Sequence, residues 1–186
     1  MQPEEIALPP ATARRTGAPA SVESLFREHY ARIVGMLTRL TGDRAHAEEV
    51  AADVFHKLSR RPELLAAQED LNAWVYRVAT NAGLDALRMN ARRRRREDAA
   101  GLHTNTASPP EALDAILREE RRGRVRDVLE SLKPRDAQLL LLRADGLAYR
   151  ELARSLGVEP GSVGTMLARA EAEFERRFRA RYGEDV

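Results

Sequence analysis

The chain has 186 residues, enough for one domain or two small ones. Charged residues make up 32% and aromatic ones 5%, yet the net charge is only +2, so no global field draws nucleic acid and such a role must rest on local arginine clusters. The absence of cysteine excludes disulfides, thiolate nucleophiles and cysteine-ligated zinc, and no apolar run approaches membrane-spanning length, so membrane insertion is not expected.

Alanine, leucine, arginine and glutamate dominate, which favours helices. The expected fold class is all-α: two small helical domains joined by a flexible linker. The boundaries read as a disordered tail over 1–20, a first domain over 21–96, a linker over 97–110 and a second domain over 111–186. Met1 to Ala20 carries prolines and scattered charge, without the continuous apolar core of a signal peptide.

Helix one is predicted from Ser21 to Thr41. Val22, Leu25, Phe26, Tyr30, Ile33, Val34, Leu37 and Leu40 recur at helical spacing, with Ser21 as N-cap and Gly42 as stop. His29 lies among these positions and reads as a partly buried, hydrogen-bonded histidine rather than a metal ligand. Helix two is predicted from Asp43 to Arg60, with Val50, Ala51, Val54, Phe55 and Leu58 as its apolar stripe. Glu48, Glu49 and Asp53 leave an acidic outer surface: a solvated face, or a docking surface for a basic partner. His46 and His56 are ten residues apart and lack metal-ligand spacing.

Arg61 to Asp70 reads as a loop or frayed helix end, broken by Pro62. Asp70 can cap a long helix, Leu71 to Arg96, with Leu71, Trp74, Val75, Val78, Ala79 and Ala82 as its stripe. Asn81, Asp85 and Arg88 share one polar face at i, i+4 and i+7, and the run Arg92 to Arg96 follows. Two readings stand for this stretch. One is an amphipathic core helix with a solvated basic tail. The other is contact with an unstacked strand, because rings stack on bases and guanidinium groups neutralise phosphates.

Glu97 to Pro110 is polar and small, the composition of a linker. Ser108-Pro109-Pro110 signals a helix start. One helix, or two with a bend near Gly123, follows to about Leu132. Pro134 opens a short helix, apolar nearly all round, that is expected to centre the second domain's core. Tyr149 to Leu156, Gly157, and a last helix from about Gly161 to Tyr182 form a helix-turn-helix pattern, which is also compatible with a plain helical hairpin.

Three stretches resemble the sigma-70 family of bacterial transcription initiation factors, specifically its compact extracytoplasmic-function (ECF) group. Leu25 to Leu58, LFREHYARIVGMLTRLTGDRAHAEEVAADVFHKL, looks like the first part of that family's region two. Ala73 to Arg88, AWVYRVATNAGLDALR, looks like its promoter-melting part, and Leu129 to Ala170 looks like region four. The resemblance implies core RNA polymerase binding through Glu48, Glu49, Asp53 and Phe55, with Ala52 where the family commonly has glutamine. It implies capture and melting of the minus-ten element by the loop of about Ala66 to Asn72 and the long helix, through Gln68, Asn72, Trp74, Tyr76, Arg77, Asn81, Asp85, Arg88, Arg92, Arg93 and Arg94. Minus-thirty-five duplex contact falls to Arg143, Arg150, Ser162, Thr165 and Arg169. There the chain departs from the family: Gly164 and Met166 replace basic residues, Ala168 replaces a commonly polar one, and Glu171, Glu173 and Glu175 follow. Ala148 is a poor cap where the family often has serine.

The function implied is a cytoplasmic initiation factor that binds core polymerase, directs it to promoters and promotes strand opening, with no cofactor. An anti-sigma protein is a further partner that the linker permits. A stand-alone or repurposed helix-turn-helix regulator that does not initiate transcription is the alternative. An enzyme is not expected: Glu119 and Glu120 are consecutive and do not share a helix face, and no histidine–carboxylate constellation, phosphate-binding glycine loop or nucleophile elbow is present.

Overall fold

The computed structural model describes residues 21–61, 63–64, 70–100 and 113–183, the side chains of 113–116 excepted. The N-terminal tail, Gln68 with most of its loop, and 101–112 with its Ser108-Pro109-Pro110 signal lie outside the described residues.

The described residues form seven α-helices: α1 (Val22–Thr41), α2 (Arg44–Ser59), α3 (Leu71–Ala99), α4 (Leu113–Ser131), α5 (Pro134–Ala144), α6 (Tyr149–Leu156) and α7 (Pro160–Tyr182). Local chemistry sets their ends. At α1, Ser21 Oγ accepts from the Ser24 amide at 3.0 Å and Ser24 Oγ accepts from the Ser21 amide at 3.0 Å, a reciprocal capping box. Gly42 ends α1 at φ 77°, a left-handed conformation that glycine adopts without steric cost. Asp43 caps α2 by accepting from the His46 amide, and Asp70 caps α3 by accepting from the Ala73 amide. Ala148 has no side-chain acceptor for α6, but Glu151 accepts from the Ala148 amide at 2.6 Å and so supplies half of the missing cap.

One boundary differs from expectation. α3 continues three residues past Arg96, so the arginine run lies inside the helix and part of the expected linker is helical. Of the two readings for the segment around Gly123, one helix or two with a bend, α4 is one helix.

In the first half, Ile33, Leu37, Ala47, Ala51, Val54, Leu58, Val75 and Ala79 form a buried seam between α1, α2 and α3. Each larger aliphatic side chain fully removed from water contributes about 1.5–3 kcal/mol. α1 packs tightly on α3 at Gly83, where an added Cβ would lie 2.6 Å from Leu37 Cδ2 and 2.8 Å from Leu40 Cδ2.

In the second half, Leu139, Leu142, Leu152, Ala153, Val163, Leu167 and Ala170 are buried. They do not form a separate core, as expected for an independent domain. They run continuously into the seam of the first half. α5 packs on α3 as well as on α6 and α7, which explains why it is apolar on so many sides. The chain therefore adopts a closed arrangement, with its second half seated on α1 and α3.

Candidate nucleic-acid interface

α3 presents one continuous polar stripe. Arg77, Asn81 and Asp85 are exposed, Arg88 is half-buried and Arg92 is exposed, at steps of three or four residues. The opposite side of the helix carries Val75, Ala79 and Ala86, all buried. Arg88 Nη1 lies 3.5 Å from Asp85 Oδ1, and Arg93 Nε lies 3.8 Å from Glu97. The exposed Arg93–Glu97 pair contributes little to stability and leaves its guanidinium group available to phosphates. Arg92, Arg93 and Arg94 are exposed. Arg95 instead reaches the second half, where it bonds Glu130 at 2.7 Å.

The N-terminal turns of α3 are largely covered. Trp74 is half-buried and packs against the core. Tyr76 is only 4% exposed, so it is not an open stacking surface in this arrangement. Its hydroxyl lies 3.4 Å from His29 Nδ1, and His29 Nε2 lies 3.0 Å from Asn72 Oδ1. The consistent assignment has Tyr76 donating to Nδ1 and the Nε2 proton donated to Asn72. His29 is thus the buried, hydrogen-bonded histidine expected from its place in the stripe. Burial pushes the Tyr76 phenol above its ordinary range, and Asp145 and Glu151 add to this while Arg32 opposes it.

On α2, Glu49 and Asp53 are exposed and Glu48 is half-buried. Glu48 accepts from Arg44 Nε at 2.9 Å. Phe55 corrects the expected docking set. It is 4% exposed and packs edge-on to Phe26 at 5.1 Å, so it supports the surface from beneath. Its place in the stripe with Ala51, Val54 and Leu58 carried that signal.

In the helix-turn-helix, Gly157 turns at φ 62° between α6 and α7. Ser162, Thr165 and Arg169 are exposed on α7, and Arg150 is exposed on α6. Arg143 lies at the end of α5, where it donates to the Leu147 carbonyl at 3.3 Å and covers the Tyr149 ring at 5.5 Å. The acidic residues of α7 are not bare. Glu173 accepts from Arg176 and Arg177, which hold its carboxyl at about 2, and Glu175 pairs with Arg179 at 2.6 Å. Two of the three carboxylates that follow the recognition segment are therefore partly neutralised within their own helix.

Sequence reasoning missed the contacts that join the halves. Arg32 and Arg39 of α1 both bond Asp145, Arg154 of α6 bonds Asp70 at 2.9 Å, and Gln138 of α5 donates to Thr80 at 2.8 Å. No local pattern signals them, since the partners stand 58 to 113 positions apart in the sequence. Among the described residues, no cluster of three or more potential metal ligands occurs and no helix is long and apolar enough to cross a membrane.

Comparison with known proteins matches both halves. The family model for Sigma-70 region 2 matches residues 25–93, and that for Sigma-70, region 4 matches residues 122–174. The RNA polymerase sigma factor CarQ of Myxococcus xanthus is 28% identical over 80% of this chain and 84% of its own length. The ferric citrate uptake sigma factor FecI of Escherichia coli is 30% identical over 90% of this chain and 96% of its own. The ECF RNA polymerase sigma factor SigE of Mycolicibacterium smegmatis is 27% identical over 92% of this chain and 66% of its own.

Proposed function

We propose, from the premise that the chain belongs to the ECF group of the sigma-70 family, that it binds core RNA polymerase, directs it to specific promoters and promotes strand opening. The observation that carries the reading is the exposed stripe of α3, Arg77 to Arg92, beside the acidic surface of α2. The stripe supplies guanidinium groups for a backbone and polar side chains for bases, at the spacing one separated strand requires.

The α2 carboxylates Glu48, Glu49 and Asp53 form the polymerase-facing surface, with Phe55 as its buried support. The segment before α3, which includes Gln68, takes an extruded base together with Asn72 and Trp74. Tyr76 joins that surface once the second half lifts away. Unstacking a base costs a few kcal/mol, and preferential binding of the melted strand offsets that cost without covalent chemistry. The protein acts in the cytoplasm and is not an enzyme.

Duplex contact at the minus-thirty-five element rests on Ser162, Thr165 and Arg169 at the start of α7, with Arg143 and Arg150 on the backbone. With no lysine in this segment, more of the promoter selectivity falls on α3 and the loop before it.

Run-off transcription with core polymerase and a panel of promoter templates tests the reading. Promoter-specific transcripts appear only when the chain is added, and their mapped starts share a minus-ten sequence. If no template gains transcripts, and the chain binds duplex DNA without co-purifying with polymerase, it is a stand-alone regulator instead.

A further inference from the structure

Asp145 ends α5, at the negative pole of that helix, in a turn completed by Gly146 at φ 88°. Its carboxylate side chain is only 4% exposed, a costly place for a charge without partners. Both partners come from α1. Arg32 Nε bonds Oδ2 at 2.8 Å, Arg39 Nη2 bonds Oδ1 at 2.7 Å, and Arg32 Nη2 also reaches the Asp145 carbonyl. The two arginines are seven residues apart, so they share one face of α1 and converge on one acceptor group. Arg32 also lies over the Tyr76 ring at 5.3 Å.

Two guanidinium groups on the two oxygens of one buried anion, with an aromatic ring beneath, form the arrangement that holds a phosphate and stacks a base. The second half supplies the anion in the closed chain. We propose that Arg32 and Arg39 form a phosphate-binding site for single-stranded nucleic acid, and that Asp145 occupies it as an intramolecular substitute, so that closure and strand binding exclude each other. The proposal rests on the reading of α3 as a nucleic-acid surface and extends it to α1. Under that reading the closed chain must open: elements near positions ten and thirty-five lie about 25 base pairs apart, roughly 85 Å of duplex at ~3.4 Å per pair. A compact chain of this size has a radius of gyration of only roughly 16 Å.

The test uses the full chain. It contains no cysteine, so Lys57→Cys on α2 and Ala180→Cys on α7, both exposed, provide the only two thiols for a fluorophore pair. The labelled parent gives high transfer efficiency. Asp145→Asn lowers it, as does the pair Arg32→Ala with Arg39→Ala, which carries the distance measurement if Asp145→Asn fails to fold. A fluorescent 12-nucleotide single strand then separates latch from binding site. Asp145→Asn binds it several-fold more tightly than the parent. Adding both arginine substitutions to Asp145→Asn keeps the chain open, weakens binding about tenfold and flattens the slope of log affinity against log salt by about 1.4, two phosphate contacts' worth.

Unchanged transfer efficiency in both latch variants overturns the latch. Equal affinity and salt slope for Asp145→Asn with and without the arginines overturns the phosphate site. Neither readout contains polymerase. If wild-type run-off transcription fails while these results hold, only the initiation reading falls.

Discussion

Thr80 and Gln138 share a buried hydrogen bond that ties α3 to α5: the Gln138 Nε2 donates to Thr80 Oγ1 at 2.8 Å, with both side chains shut off from solvent. Thr80 Oγ1 in turn donates to the Tyr76 carbonyl at 2.8 Å. The second half therefore touches α3 through a fully used polar group.

Gln138→Ala leaves the Thr80 hydroxyl with a donor role but no donor to it. A buried polar atom stranded in this way costs about 1–3 kcal/mol. The expected outcome is a lower transfer efficiency in the same two-label chain, with helical circular dichroism retained. Gln138→Leu, which fills the volume, recovers part of the stability but not the orientation. Unaltered efficiency in both variants means that the Gln138–Thr80 bond is not needed to hold the halves together.

Gly83 sets the distance between α1 and α3. Replacing a mid-helix glycine by alanine adds about 1 kcal/mol of helix preference. Here the new methyl would meet Leu37 and Leu40, both buried, at less than 3.0 Å. Overpacking of this kind costs about 1–3 kcal/mol and more than cancels the gain. Gly83→Ala is expected to lower Tm by several degrees in a thermal melt. A raised Tm would mean that the helices separate freely at this point.

Capping chemistry made the helices legible before their packing was. Ser21, Asp43 and Asp70 stand at helix starts, Pro134 and Pro160 occupy first turns, and Gly42 and Gly157 close helices at positive φ. The polar stripe of α3 followed from spacing, because a helix sorts residues by angle. Phe55 was legible as core from the same spacing, and its placement on the docking surface overrode that signal. The latch was not legible. An Asp-Gly pair after a helix reads as an ordinary exposed turn, and only the fold brings α1 to Asp145 from 113 residues away. The burial of Tyr76 was not legible for the same reason: no local pattern records contacts made across the fold.

Asn81 and the arginine run distinguish binding from folding. Asn81, Arg92, Arg93 and Arg94 are exposed, and substitutions at such positions change stability by about 0.5 kcal/mol or less. Asn81→Ala is expected to leave Tm unchanged while slowing open-complex formation several-fold, measured by permanganate reactivity of the melted strand. Loss of charge at Arg92, Arg93 and Arg94 is expected to weaken single-strand affinity broadly across sequences, because phosphate contacts carry no base information. A large drop in Tm with intact melting would instead return α3 to an ordinary core helix with a solvated tail.

Tyr76 reports closure through its ionisation. Burial raises its phenol above the ordinary value of 10.0, with Asp145 and Glu151 contributing and Arg32 opposing. A group whose folded value is raised favours the folded form while protonated. Its contribution is complete below about 10 and is lost as pH rises through the raised value. The closed chain should therefore loosen in strong base. Absorbance near 295 nm, taken as wild type minus Tyr76→Phe, isolates this one phenol. The difference curve is expected to have its midpoint above 10, and in the Asp145→Asn background to move back toward 10 as the covering half lifts and water reaches the ring. Tyr76→Phe keeps the ring and removes the hydroxyl's contacts with His29 and Arg32. A midpoint at or below 10 in the wild-type difference curve would show that Tyr76 faces water, and the closed arrangement would then not describe the protein in solution.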